Sequence, residues 1–193
     1  MQRGRSVESY RAIDLSLLTF ILLVFETVVV KAATVWFPGQ PYTVSLVPAL
    51  TAIVMVRWGP WAAIHAALGG LLVCVLQKAS LPQYVIYTGG NLVSMALLPV
   101  LARWRREEGV WRDGIHAVAF GAAVLVTMQL GRAVISLAFG AGISAAAGCF
   151  TTEIITDLLT LLILWITRRL DGVLEDQRHY LLRIRQEENG GVR

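Results

Sequence analysis

The feature that most constrains the fold of this chain is a succession of six apolar runs that fill most of its length. They cover about 12–36, 43–56, 60–76, 83–102, 114–139 and 143–167. A helix needs about 20 mostly apolar residues to cross the ~30 Å hydrocarbon core of a bilayer. The second run is shorter than that and contains Pro48. The pattern predicts an all-α integral membrane protein, a six-transmembrane-helix bundle that forms a single domain over residues 1–193.

The composition agrees with a membrane protein. Of the 193 residues, 56% are hydrophobic and 16% are charged, whereas a soluble domain has about 25% charged residues. Such a chain has too little polar surface to enclose a water-soluble core, which excludes a cytosolic enzyme, a disordered tail and a disulfide-stapled secreted domain. Cys74 and Cys149 lie inside apolar runs, so we interpret them as small hydrophobic residues. No His, Cys or carboxylate pair has zinc spacing, and we predict no metal and no cofactor.

The positions of the basic residues predict the orientation. Lys and Arg accumulate in the cytoplasmic loops of membrane proteins. If the chain crosses six times, 14 of its 17 basic residues fall on one side, and only Lys31, Lys78 and Arg132 do not. This distribution supports six crossings and places both termini in the cytoplasm. The net charge of +4 is then a topology signal facing lipid headgroups, and we predict no nucleic-acid binding.

The tail, residues 170–193, has apolar residues at helical spacing with charges between them. Leu170, Val173, Leu174 and Tyr180 carry this pattern. It predicts a cytoplasmic amphipathic helix that lies along the membrane surface or against a partner. A solvated continuation of the sixth helix is the alternative.

Several polar side chains lie inside the apolar runs, where each ionisable group costs at least ~2.5–3.5 kcal/mol. In the predicted orientation they share the outer half of the bundle, above mostly apolar inner halves. We expect a pocket that opens outward and binds a small amphiphilic solute, with charged groups at its polar ends and aromatic rings on its flat parts. The candidate residues are Glu26, Lys31, Trp36, Tyr84, Tyr87, Asn91, Gln129, Arg132 and Glu153, with Gln77 and Lys78 as weaker candidates. In the alternative interpretation the charged groups only pair to join the helices; both hold if a paired site can open.

Two further features lie beside these candidates. Asp157 follows Glu153 by one helical turn. It could be a relay carboxylate, a second ligand contact or, as we favour, a buried acid bonded to a nearby threonine or a neighbouring helix. The adjacent glycines Gly89 and Gly90 precede Asn91 and weaken a helix. They predict a local kink or the close approach of a ligand at that point.

The first outer connection, residues 36–42, contains two prolines and a glycine. It is either a lid over the pocket or a plain connecting loop. At the start of the first run, Ala12 and Ser16 form a strip of small residues that could dock another membrane protein. The chain has neither G-x-S-x-G nor a Walker-type phosphate loop, and no nucleophile with a positioned base. We therefore expect no enzyme activity and no catalytic residues.

Three stretches, together with the six runs and the Pro/Gly-rich outer loop, resemble a known family. They are residues 45–61 (SLVPALTAIVMVRWGPW), residues 83–91 (QYVIYTGGN) and the ending from residue 166 (ITRRLDGVLEDQRHYLLR). The chain is similar over nearly its whole length to the substrate-binding S components of energy-coupling factor (ECF) transporters, which are bacterial plasma-membrane proteins.

The resemblance implies a division of labour in vitamin uptake. This chain would capture a vitamin or vitamin-like solute, while a transmembrane coupling subunit and two cytoplasmic ATPases power the import. The first helix of the family often carries an A-x-x-x-A strip that meets the coupling subunit, and Ala12 and Ser16 stand at the matching positions, with serine in place of the second alanine. No particular solute follows from the resemblance. The alternatives are an MreD-like structural membrane protein that binds no solute, and a stand-alone secondary transporter that uses Asp157 or Glu153 as a proton site.

Overall fold

The structure, a computed structural model, describes residues 6–38, 43–104, 114–170 and 172–190. It is helical throughout, with no strand in these ranges, which confirms the all-α prediction. Part of the predicted lid, residues 39–42, and most of the charged connection before the fifth run, residues 105–113, lie outside the described residues. The helices are α1 Val7–Trp36, α2 Val47–Trp58, α3 Ala62–Leu76, α4 Leu81–Leu92, α5 Leu98–Trp104, α6 Gly114–Ala138, α7 Ile143–Thr151, α8 Ile154–Thr167 and α9 Gln177–Gly190.

Five helical stretches in the described residues are long and apolar enough to cross a membrane, as expected of a multi-pass membrane protein. They are Val7–Trp36, Val47–Leu76, Leu81–Trp104, Gly114–Ala138 and Ile143–Thr167. The second stretch joins two of the predicted runs, because α2 continues through a 3-10 turn at Gly59–Trp61 into α3. A second 3-10 turn, Val93–Leu97, joins α4 to α5.

The chain reverses its direction between α2 and α3. Gly59, which ends α2, has φ 63°, a backbone conformation that glycine adopts without strain. Beyond it, α3 returns along α2: a Cβ added at Gly69, in the middle of α3, would lie 2.4 Å from the side chain of Val47, the first residue of α2. The two helices therefore form an antiparallel hairpin.

An arginine clasp joins α1, α2 and the tail at one end of the bundle. The Arg57 guanidinium donates two hydrogen bonds to the Asp14 carboxylate, at 2.9 Å and 2.7 Å, and the Trp58 indole donates a third to the same group. Arg57 also donates to the backbone carbonyls of Gly172, at 2.6 Å, and Val173, at 3.2 Å. We call these five residues the Arg57 clasp. It fixes the tail beneath the end of α2.

The main apolar core lies next to the clasp and closes this half of the bundle. It contains residues of α2, α3, α6 and α8 and extends to the tail. Its largest buried members include Met55, Phe120, Met128 and Leu164, and Leu174 is its contribution from the tail. This cluster fills the half of the bundle that contains the Arg57 clasp.

The tail forms a helix of its own. Helix α8 ends at Thr167, the chain turns at Gly172 with φ 71°, and α9 begins only at Gln177. Leu174 and Gln177 are buried, and the Gln177 amide donates to the Gly172 carbonyl at 2.7 Å. The interpretation of the tail as a solvated continuation of the sixth predicted run is therefore wrong, because a packed turn separates α8 from α9.

The sixth predicted run is interrupted near its middle. Helix α7 ends at Thr151 and α8 begins at Ile154, with Thr152 and Glu153 between them. A break frees backbone groups that hydrocarbon cannot satisfy, so in a membrane protein such groups must meet other protein groups or line a cavity. The Thr152 carbonyl accepts a hydrogen bond from the Thr43 N–H at 3.0 Å. The break thus coincides with a contact to the segment that precedes α2.

Candidate functional site

A buried arginine organises the polar groups in the other half of the bundle. Arg132 of α6 is 4% exposed. Its Nε and one terminal nitrogen donate to Oδ1 of Asn91 at 3.0 Å and 2.7 Å, and its other terminal nitrogen donates to Oε1 of Glu153 at the helix break. The guanidinium also lies over the Tyr87 ring, 5.0 Å from its centroid. We call Tyr87, Asn91, Arg132 and Glu153 the Arg132 cluster. It brings together α4, α6 and the α7–α8 break.

Glycines allow the helices of the cluster to approach closely. A Cβ on Gly90 would lie 2.3 Å from Cγ of Arg132 and 2.7 Å from its backbone nitrogen, and a Cβ on Gly131 would lie 2.7 Å from the Gly90 carbonyl oxygen. At Gly90 the close neighbour is helix α6, and the approach of a ligand, which was predicted for the glycine pair, stays a prediction. Asn91 is held in place because its amide donates to the Ala66 carbonyl of α3 at 3.1 Å.

Residues 43–46, which precede α2, cross the helix break, and we call them the cover segment. The Thr43 N–H donates to the Thr152 carbonyl, and the Ser45 N–H donates to the Thr156 hydroxyl, both at 3.0 Å. The same hydroxyl donates to the Thr43 carbonyl at 3.0 Å. The cover segment is therefore bound along one edge to α8 and to the break before it.

Glu26 of α1 holds the end of the cover segment. It is 0% exposed, and its Oε2 accepts a hydrogen bond from the Leu46 N–H at 2.6 Å. The Ser45 hydroxyl lies beside this carboxylate, yet Oε1 is buried without a hydrogen-bond partner. Among the described residues, no Lys, Arg or His nitrogen comes within 4.0 Å of Glu26. Within the part of the chain that the structure describes, the carboxylate therefore has no cation in direct contact.

A small cavity lies between the Arg132 cluster and the cover segment. The space that the centre of a water molecule can occupy in it is about 10 Å³. This is room for about one water. A pocket for a drug-sized ligand has about 300–1,000 Å³. The cavity is thus too small for such a ligand, and a larger solute needs the wall to move. The lining residues are Val30, Thr43, Val44, Ser45, Val47, Gly70, Val73, Gln77, Tyr87, Asn91, Arg132 and Glu153.

Of the nine predicted site residues, four line the cavity and five do not. Tyr87, Asn91, Arg132 and Glu153 line it, as does the weaker candidate Gln77. Glu26 lies outside the lining but accepts a hydrogen bond from Leu46 of the cover segment. The other predicted residues outside the lining are Lys31, Trp36, Tyr84 and Gln129, and the weaker candidate Lys78.

Lys31 and Trp36 lie away from this cavity. Val30 lines the cavity, and one step along an α-helix turns the next side chain by about 100°. Lys31 consequently points out of the bundle and is exposed. Trp36, at the end of α1, is 73% exposed and forms no wall of the cavity. Tyr84 is half-buried one turn before Tyr87, and Lys78 is exposed in the turn before α4.

Gln129 joins Asp157 to the edge of the Arg132 cluster, since its side chain also hydrogen-bonds Glu153. Gln129 is buried, and its amide donates to the Asp157 carboxylate at 2.8 Å. Of the three roles considered for Asp157, the bond to a neighbouring helix is observed, because Gln129 belongs to α6, but the Asp157 side chain is half-buried and not fully buried as predicted. Lone His65 of α3 contacts the Thr19 hydroxyl of α1 at 3.2 Å and likewise joins two helices.

The sequence pattern did not reveal the cover segment or its partners on α8. Thr43, Ser45, Thr152 and Thr156 act largely through backbone groups, which leave no trace in hydropathy. The one available signal was the accumulation of hydroxyl residues at Thr151, Thr152 and Thr156 within an apolar run.

The strip predicted for docking lies on the outward face of α1. Ala12 and Ser16 are both exposed, next to Ile13 and Leu17, which are exposed as well. By contrast, the small residues Ala62, Ala66 and Gly70 of α3 are buried within the bundle. Within the described ranges, no three His, Cys, Asp or Glu side chains gather where they could hold a metal ion.

Comparisons with protein-family models, with curated proteins and with solved structures each find no match to this chain. Its function is therefore argued from the chemistry of the Arg132 cluster, the cover segment and Glu26.

Proposed function

We propose that the chain is the membrane-embedded substrate-capture subunit of an ATP-driven ECF-type importer, and that it binds a vitamin or vitamin-like small molecule in the bacterial plasma membrane. The observation that carries the proposal is the convergence of Tyr87, Asn91, Arg132 and Glu153 on one cavity at a helix break. Ionisable groups in hydrocarbon are costly and mark functional sites by default. Interrupted helices that line a cavity are the usual binding sites of membrane transporters.

The proposed topology has six crossings with both termini in the cytoplasm. It is supported by the antiparallel arrangement of α2 and α3, which makes the stretch Val47–Leu76 two passes. Helix α2 has 12 residues, or about 18 Å at 1.5 Å per residue, and the cover segment extends it toward the outer surface. The Arg57 clasp then lies on the cytoplasmic side and the Arg132 cluster on the outer side.

The proposed mechanism starts with movement of the cover segment. Its hydrogen bonds to Thr152, Thr156 and Glu26 break, and the incoming solute takes their place. The Tyr87 ring covers a flat part of the solute, while Asn91, Arg132 and Glu153 bind its polar groups. The apolar core beneath the site blocks direct passage, so release into the cell needs tilting of the whole subunit by its partners. ATP hydrolysis belongs to those partners.

The proposed partners are a transmembrane coupling subunit and two cytoplasmic ATPases. The exposed strip with Ala12 and Ser16 suits the coupling subunit, because small side chains let two helices approach closely in lipid. The remaining outward surface is apolar and faces the bilayer.

A second candidate is an MreD-like structural membrane protein without a solute. One observation favours it: the charged groups of the Arg132 cluster pair with each other, and the cavity has room for about one water. In that case the pairs would serve only to join α4, α6 and α8.

The experiment that tests the proposal is mass spectrometry of small molecules retained by gently purified protein. We expect one organic compound that also raises the melting temperature of the washed protein in a saturable manner. Protein that retains no compound, and whose melting temperature no metabolite extract changes, contradicts the proposal and supports the structural candidate. Uptake of the compound by liposomes that contain this chain alone would instead show a secondary transporter.

A further inference from the structure

Glu26 is a buried acid, and one of its two carboxylate oxygens accepts no hydrogen bond. Its Oε2 is used by the Leu46 N–H, but its Oε1 has no hydrogen-bond partner. The hydroxyl oxygen of Thr43, which lines the cavity, is also buried and unpartnered. Leu46 lies between Ser45 and Val47, and both of these line the cavity. Glu26 itself does not line the cavity, but its carboxylate lies directly behind the cover segment, which forms part of the cavity wall.

The positive charge of Arg132 is already neutralised by Glu153 and does not contact Glu26. Arg132 gives one terminal nitrogen to Glu153 and its other donors to Asn91. Arg132 and Glu153 thus neutralise each other, and Glu26 remains as an acid with no ion-pair partner among the described residues. A buried charge is stable only when it is paired and hydrogen-bonded. What Glu26 lacks, among the described residues, is a contacting donor that carries positive charge.

We infer that the captured solute carries a basic nitrogen, such as a protonated amine, an amidine or a protonated ring nitrogen, and that Glu26 binds it. This inference rests on the proposed function and specifies its substrate class. The Thr43 hydroxyl supplies a second acceptor for the same group. A solute whose charged groups are only carboxylates or phosphates would have to displace Glu153 from Arg132 and would add an anion near Glu26.

The test separates metabolites that carry a basic nitrogen from those that do not. A low-molecular-weight bacterial extract is passed over a cation exchanger at pH 3, which retains compounds with a basic nitrogen and lets the others through. Washed protein is incubated with each fraction in potassium phosphate, a buffer without amines, and the captured compounds are identified by mass spectrometry. We expect capture from the retained fraction.

Two matched variants assign the binding to Glu26. Glu26→Gln keeps an oxygen that can accept from the Leu46 N–H but removes the charge, and we expect at least about tenfold less capture, because one hydrogen bond to a charged group is lost. Asp157→Asn removes the same charge from the same bundle, yet its amide oxygen can still accept from Gln129. We expect its capture to equal that of the original chain. The melting temperature of each variant shows that it is folded.

Each outcome bears on the inference. Capture only from the unretained fraction, or capture that Glu26→Gln leaves unchanged, overturns the basic-nitrogen inference while the capture function stands. An equal loss in both variants shows a general charge effect and also overturns the role of Glu26. No capture from either fraction overturns the inference together with the proposed function.

Discussion

Two arginine–carboxylate pairs lie at opposite halves of this bundle, and their surroundings differ. In the Arg57 clasp, the side chains of Arg57 and Asp14 are 14% and 21% exposed, and within the described residues the guanidinium donates its hydrogen bonds to Asp14 and to backbone carbonyls of the tail. The side chains of Arg132 and Glu153 are 5% and 6% exposed, and they line a cavity.

The difference teaches that pairing alone does not distinguish a structural contact from a binding site. The Arg57 clasp abuts the apolar core and joins three segments, so its function is complete within the fold. The Arg132 cluster stands at a helix break, beside a cover segment held by a few hydrogen bonds and by Glu26. Only the second pair has groups that a solute could replace.

The largest loss of folding stability is expected from breaking the more buried pair, Arg132 and Glu153. Arg132→Met leaves Glu153 as an uncompensated buried charge, which costs about 3–5 kcal/mol. Chemical unfolding of the purified protein measures this loss. The double variant Arg132→Met/Glu153→Met removes both charges, so we expect its stability to return close to that of the original chain. A double variant as unstable as the single one would contradict the view that the loss comes from the unpaired charge.

Breaking the Arg57 clasp should cost less and should spare the site. Arg57→Met removes charge-assisted hydrogen bonds to a partly exposed carboxylate, and we expect a loss of about 2–3 kcal/mol. The affinity for the retained compound should not change, because no residue of the clasp lines the cavity. A lower affinity in protein that is still folded would show that the two pairs are coupled.

Two glycines with different surroundings, Gly90 and Gly148, give the next comparison. Gly90→Ala places a methyl group against the backbone of Arg132, so we expect overpacking of about 1–3 kcal/mol and weaker capture. Gly148 of α7 has nothing within 4 Å of an added Cβ. Gly148→Ala should therefore keep capture and gain up to about 1 kcal/mol from helix propensity. Thermal unfolding of both variants checks the expected opposite signs.

The smallest effect concerns the attachment of the cover segment to α8. Thr156→Val removes a hydroxyl that bonds to both Thr43 and Ser45, and we expect a loss of about 1–2 kcal/mol. Amide hydrogen exchange at Ser45 should become faster. Thr160→Val, one turn further along, removes a buried hydroxyl without a partner and should be neutral or stabilising. Unchanged exchange at Ser45 in Thr156→Val would show that this bond does not hold the cover segment.

Much of the fold could be predicted because apolar runs and turn residues carry its signal. The hairpin of α2 and α3 follows from two apolar runs separated by Gly59 and Pro60. The break at Glu153 was not predicted, because α7 and α8 are apolar on both sides of it and their joint run has the length of one membrane helix. Hydrogen bonds to the cover segment, which hydropathy does not record, stabilise the break.

The candidate site could be predicted only in part, because the sequence indicates the depth of a side chain in the membrane but not its direction around the helix. Depth along each run selected Glu26, Asn91, Arg132 and Glu153, since ionisable and amide groups are rare at such depth. Depth does not tell which way a side chain points, so Lys31 was chosen although Val30 is the residue that faces the cavity. Direction around the helix depends on which neighbours α1 packs against, and this requires the tertiary structure.

The central claim, that the Arg132 cluster is a solute site, is tested most directly by titrating the retained compound into two proteins of similar stability. These are the original chain and Arg132→Met/Glu153→Met. We predict saturable binding to the original chain and at least about a hundredfold weaker binding to the double variant, since at least two hydrogen bonds from charged groups are lost. Equal affinity for both proteins would contradict the account and would place the solute, if it binds at all, away from this cluster.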